Sequence, residues 1–90
     1  MNHEEFVKYW LDVHAPIAKS MPGLRKYVCS ATLVRPGREP EFDGVAELWF
    51  DDFESMRKSW SSPEGEATTK DTENFVSKTT VIYAAEHSIV

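Results

Sequence analysis

Cysteine is all but missing: Cys29 is the only one in 90 residues. That excludes an intrachain disulfide and a cysteine zinc cluster. Basic residues are outnumbered, 10 against 15 acidic, which leaves a net charge of −5. This balance argues against nucleic acid or an anionic membrane surface as the main partner. No apolar run approaches the roughly 18 residues of a transmembrane helix. The opening stretch is broken by Glu4, Glu5 and Asp12 and has no apolar segment of the kind a secretory signal needs. His3, His14 and His87 have no metal-ligand spacing, and neither HExxH nor a glycine-rich phosphate loop occurs. The expectation is a cytoplasmic protein with no bound metal and no cofactor.

What is present fits one globular domain spanning residues 1–90. Hydrophobic residues make up 41% and charged residues 28%, so a folded, water-exposed chain is the natural reading. A chain this short buries only about 60% of its unfolded surface, which makes a second copy a useful extension of the core.

The chain is organised around Asn2 to Tyr27, NHEEFVKYWLDVHAPIAKSMPGLRKY. Asn2 with Glu5 three residues on has the capping-box spacing. Phe6, Tyr9, Trp10, Val13 and Ile17 follow the rhythm of a buried helical stripe. Pro16 lacks an N–H, so the helix is expected to stop at about His14, with a short turn over Ile17 to Ser20. Met21-Pro22-Gly23 marks a corner. Leu24 to Val34 and Val45 to Phe50 read as strands. Asp51 and Glu54 have cap spacing ahead of a second helix carrying Phe53, Met56 and Trp60. Ser62-Pro63 opens a third helical stretch to about Asp71, and Phe75 reads as an anchor in the following loop. Thr79 to Val90, TTVIYAAEHSIV, is β-branched and apolar enough for a last strand inside a sheet.

His14 lies on the stripe one turn beyond Trp10, and histidine is the residue type best suited to general acid or base work near neutral pH. The bland reading is a structural histidine hydrogen-bonded across to the sheet. Tyr27 opens the first strand and could donate to a substrate carbonyl or enolate, or simply pack on a helix. Glu47 joins His14 only if its strand face meets the helices, and one sequence does not fix that parity. Tyr9, Trp10 and Trp49 suit the lining of a pocket for a planar, mostly apolar molecule, or the filling of a small core.

FVKYWLDVHAP followed by MPGLRKY, then DGVAELWFDD, SSPEG and a closing Glu-His, resembles the EthD-domain family of the dimeric α+β barrel superfamily. The resemblance runs from Asn2 to Val90. It implies an α+β, ferredoxin-like antiparallel sheet with two helices on one face, assembled as a homodimer. In that β-α-β-β-α-β unit a strand precedes the segment matching Asn2 and lies centrally, between the third and fourth. Here that first strand is missing, so either the second and last of the three visible strands pair directly or another chain fills the gap.

The resemblance also implies a small cofactor-independent enzyme acting on a cyclic or aromatic metabolite. The reaction would be an oxidation, isomerisation or dehydration by proton transfer, with His14, Tyr27 and Glu47 as catalytic residues and Tyr9, Trp10 and Trp49 against the substrate. Degradation of aromatic compounds or xenobiotics is the implied setting. The alternative is a non-catalytic protein that binds a hydrophobic metabolite or supports an oxygenase. A third reading, haem held by a helix histidine as elsewhere in the superfamily, is tested by a Soret band on haem addition.

Overall fold

Asn2 caps the first helix as its spacing predicts. Its Oδ1 accepts the Glu5 N–H at 2.8 Å, and the Asn2 N–H returns to Glu5 Oε1 at 3.4 Å. The computed structural model describes residues 1–90. In it the helix does not end at His14. It runs as α1 (His3–Tyr9), a π-helical segment (Trp10–His14) and α2 (Ala15–Ala18). The proline explains the π segment. Pro16 cannot donate, and its ring crowds the carbonyl four residues back. A wider turn, with the Ala15 N–H reaching Trp10 O, carries the helical ladder past it.

Strands β1 (Lys26–Ala31) and β2 (Gly44–Trp49) form an antiparallel pair, with Tyr27 opposite Leu48, Cys29 opposite Ala46 and Ala31 opposite Gly44. Opposed residues share a face. Tyr27, Cys29 and Ala31 therefore lie with Leu48, Ala46 and Gly44, while Val28 and Ser30 lie with Glu47 and Val45 on the other side. Gly44 identifies the inner face. A Cβ there would come 2.7 Å from Trp10 Cη2 and 2.8 Å from Ser30 O. Gly44→Ala should therefore cost about 1–3 kcal/mol of stability, the usual penalty for overfilling a packed site. Urea denaturation measures it. A midpoint equal to that of the native chain would mean that the indole withdraws freely.

Helix α3 (Phe53–Ser61) is capped by Asp52, whose Oδ1 accepts the Ser55 N–H at 2.7 Å. That is one residue later than expected, because Asp51 is engaged by the Arg25 guanidinium at 2.8 and 3.1 Å. Helix α4 (Pro63–Thr72) starts as read, with Ser62 Oγ accepting the Gly65 N–H at 3.0 Å and Pro63 in the first turn. Gly65 is buried against the Ser59 and Trp60 carbonyls with no room for a Cβ, so its helix-weakening effect is the cost of close approach.

The expected last strand does not form. Thr79 to Val90 is exposed and in no regular structure, and the sheet has two strands. The segment touches the rest through Glu86 Oε2, which accepts the Trp49 indole N–H at 2.9 Å, and through Tyr83, edge-on to Phe53 at 6.0 Å. The segment makes no backbone hydrogen bond to β1 or β2, and propensity without a ladder does not make a strand. The architecture is α+β, as expected: helices against one face of an antiparallel sheet. The buried apolar core is small, namely Trp10, Ala18 and Met21. No helix is long and apolar enough to cross a membrane.

Candidate active site

His14 is 7% exposed, and its Nδ1 lies 2.8 Å from Asp71 Oδ2. Asp71, near the end of α4, is 8% exposed. Its other oxygen accepts the Tyr9 hydroxyl at 2.7 Å and the Asn74 amide at 3.1 Å. Phe75 covers the cluster, with ring centres 4.8 Å from His14, 5.0 Å from Tyr9 and 5.1 Å from Phe6. The loop anchor read at Phe75 is thus the lid over a buried polar network.

The π segment makes this convergence. Tyr9 and His14 are five residues apart. At about 100° per residue, an α-helix would splay them roughly 140° around the axis. Closing the backbone over five residues instead of four brings both side chains to one carboxylate. Such turns recur at functional sites for this kind of reason.

The electrostatics follow from the partners. Burial pushes the Asp71 carboxyl up, but hydrogen bonds from Tyr9, His14 and Asn74 outweigh it and hold the group below the ordinary aspartate range. The Tyr9 phenol is raised, first by donating to that carboxylate and then by burial. A carboxylate only accepts, so His14 Nδ1 carries the proton it shares with Asp71. This assigns the tautomer by its partner. Nε2 makes no hydrogen bond within the chain, and it is not among the sealed, unpartnered buried atoms, of which Ser59 Oγ is the example. An aspartate that orients an imidazole and leaves its second nitrogen free is the arrangement of a general base.

His3 shows the contrast. It too meets an aspartate, with Nδ1 2.7 Å from Asp43 Oδ1, but its Nε2 is taken up by Thr32 O at 3.0 Å. Both nitrogens are spent on tying the helix start to the end of β1. His87 is exposed in the terminal segment.

Of the residues singled out in the sequence, Tyr9 and His14 meet at Asp71, and Trp10 is buried beside them at 5% exposure, 5.8 Å from the Phe6 ring. Tyr27 is half-buried on the inner sheet face, next to Trp10 and Cys29, and makes no hydrogen bond to His14. Burial first, then the Cys29 thiol, push its phenol well up, against a smaller opposing effect of the Trp10 indole. Glu47 and Trp49 do not join His14. Gly44, Ala46 and Leu48 take the inner face, so the alternate residues point outward. Glu47 is exposed opposite Val28, and Trp49 lies under Lys26, whose Nζ is 4.6 Å from the ring centre. Asp71 and Asn74 escaped the sequence reading. The available signal was spacing: Asp71 precedes the anchor Phe75 by four residues and so shares its side of the chain.

Two surface hollows, of about 180 and 250 Å³, open elsewhere, and neither is lined by His14. No trio of His, Cys, Asp or Glu is close enough to hold a metal ion.

Comparison with known proteins agrees with this fold. The chain is similar to an ethyl tert-butyl ether D (EthD) family protein of Bacillus halodurans of known crystal structure. The TM-score is 0.80 at 28% identity, over 97% of this chain and 87% of that one. It is also similar to an uncharacterized 11.0 kDa protein encoded in the thcB–thcC intergenic region of Rhodococcus erythropolis. That match is 22% identical over 86 residues, 94% of this chain and 84% of the relative. The EthD domain model matches residues 1–79, so a ferredoxin-like chain with a buried His14–Asp71 pair belongs to the EthD domain family.

Proposed function

We propose that this protein is a small acid–base enzyme that moves a proton on a cyclic or aromatic metabolite without a resident cofactor. The observation that carries the reading is the His14–Asp71 contact at 2.8 Å, buried, with Nε2 left free. Asp71 fixes the ring and its tautomer, Tyr9 and Asn74 fix Asp71, and Nε2 takes or returns the proton. Trp10 and Tyr27 supply an apolar wall and a neutral phenol donor on the inner sheet face. Isomerisation, dehydration, or oxidation through an enolate-like anion all begin with such a transfer. Breakdown of aromatic compounds or xenobiotics in the cytoplasm is the setting this chemistry suits, and a single free thiol, Cys29, suits a reducing compartment.

The working unit we infer is a homodimer. Only 8 of 90 residues are buried, which is too little core for one chain to hold a sheet alone. The outer sheet face carries Val45 at 56% exposure, and Ile82 and Ile89 in the terminal segment are 82% and 89% exposed. A second copy that covers this face and pairs the terminal segment would supply the missing core.

One observation favours the alternative, a non-catalytic protein that binds a hydrophobic metabolite or assists an oxygenase: Phe75 lies on the imidazole, as it would in a purely structural pair. His14→Ala separates the two. In an enzyme the variant should keep its fold and self-association and lose about 10²- to 10⁴-fold in turnover on a substrate found by ligand screening. Unchanged turnover, or a chain that no longer folds, would remove His14 from the chemistry.

A further inference from the structure

We propose that the hollow between the end of α2 and the start of β1 binds the carboxylate of a small aromatic acid. This rests on the reading that the protein handles small aromatic metabolites, and adds that they are anions. The hollow, about 250 Å³, is lined by Lys19, Leu24, Arg25, Lys26 and Tyr27. Three of those five are cationic and none is acidic, on a chain whose net charge is −5. A positive recess on a negative molecule is a local feature that the overall composition does not produce, and it draws anions selectively.

The donors are free to act. The Lys19 side chain makes no ion pair or hydrogen bond within the chain; only its backbone N–H is used, donating to Ala15 O at 2.9 Å. Arg25 gives Nε and Nη2 to Asp51 and keeps Nη1, with its two N–H groups, uncommitted. The fork with Asp51 holds that guanidinium in place. Lys26 directs its ammonium over Trp49 and so adds positive charge to the rim. Leu24 and the Tyr27 ring are half-buried and offer an apolar bed. A carboxylate between Lys19 and Arg25 Nη1 would leave an attached ring against Leu24 and Tyr27, with the Tyr27 edge leading toward Trp10. The volume suits one small ring and its acid group, at the low end for a ligand site.

Benzoate and benzamide test this on the full-length protein, because they share a ring and differ in charge. Benzoate should shift the backbone amide signals of Leu24 to Tyr27 in a titration followed by two-dimensional NMR, and benzamide should not. Lys19→Glu should weaken benzoate by roughly tenfold, the loss of one charge-assisted contact. Added salt should weaken it too. His14→Ala should leave it unchanged, since His14 does not line the hollow. Equal shifts with benzamide, indifference to Lys19→Glu, or an inorganic phosphate response matching that of benzoate would each overturn the proposal. None of those results bears on turnover at His14, so failure here is distinguishable from failure of the acid–base reading.

Discussion

Replacing Trp10 with alanine should remove about 3–5 kcal/mol of stability. A small domain has about 5–15 kcal/mol in all, so the variant should sit close to unfolding at ambient temperature. Trp10 is one of three buried apolar residues, and it is by far the largest of them. It fills the space over Gly44 and packs against Phe6 at 5.8 Å. Gly44, which lies under the indole, has no side chain with which to fill the void. Chemical denaturation with tryptophan-independent detection, such as far-ultraviolet circular dichroism, measures the change. A loss below about 1 kcal/mol would mean that the core of the working protein lies elsewhere.

The second large effect is at Asp71. Asp71→Ala leaves the His14 Nδ1–H, the Tyr9 hydroxyl and the Asn74 amide facing an empty site, and should cost about 2–5 kcal/mol through unpaired buried groups. Asp71→Asn separates fold from charge. Its oxygen still accepts from Tyr9, but its amide faces His14 Nδ1 as a donor. The ring must then accept at Nδ1 and carry its proton on Nε2, the reverse of the native tautomer. Ring nitrogen shifts read by NMR should show the exchange, and any turnover should fall with it.

The pH dependence has a definite sign. The native Asp71 carboxyl lies below its ordinary value because its hydrogen bonds outweigh burial. Its contribution to stability is therefore present above the unfolded-state pKa of about 3.9 and is lost as pH falls through the lower native value. Melting temperature followed from neutrality downward should drop through that window, and the drop should flatten in Asp71→Asn. Equal acid sensitivity in both proteins would place the effect on other carboxylates.

Local grammar made the helix starts readable. Asn2 with Glu5, and Ser62 with Pro63, announce caps that form as spaced, since a cap depends on a few adjacent residues. The Asp51 cap slipped to Asp52 because a distant partner, Arg25, claimed the first aspartate. Strand parity was not readable from Glu47 or Trp49 themselves. It was decided by what Trp10 could rest on, and Gly44 carried that information. The terminal strand failed for a related reason: propensity describes a segment, whereas pairing needs an edge elsewhere. His14 was legible as a polar residue on an apolar stripe. Its partner was not, because Asp71 is 57 residues away and nothing local distinguishes it from a solvated acid.

The π turn at Trp10–His14 carries a consequence for how such a site tolerates changes in chain length. A wide turn amounts to one residue more than an α-helix would need over the same path. Losing a single codon between Tyr9 and His14 would restore ordinary helical winding without touching any residue of the network. The imidazole would then stand four residues from Tyr9, about 40° around an α-helix, and so stay on the side that faces Asp71. The His14–Asp71 pair therefore tolerates a change of one residue in this stretch, because the wide turn absorbs the extra residue and keeps the facing of its flanks. Among related chains, the tyrosine and the histidine should share a side at a spacing of four with ordinary winding, or at a spacing of five with a wide turn.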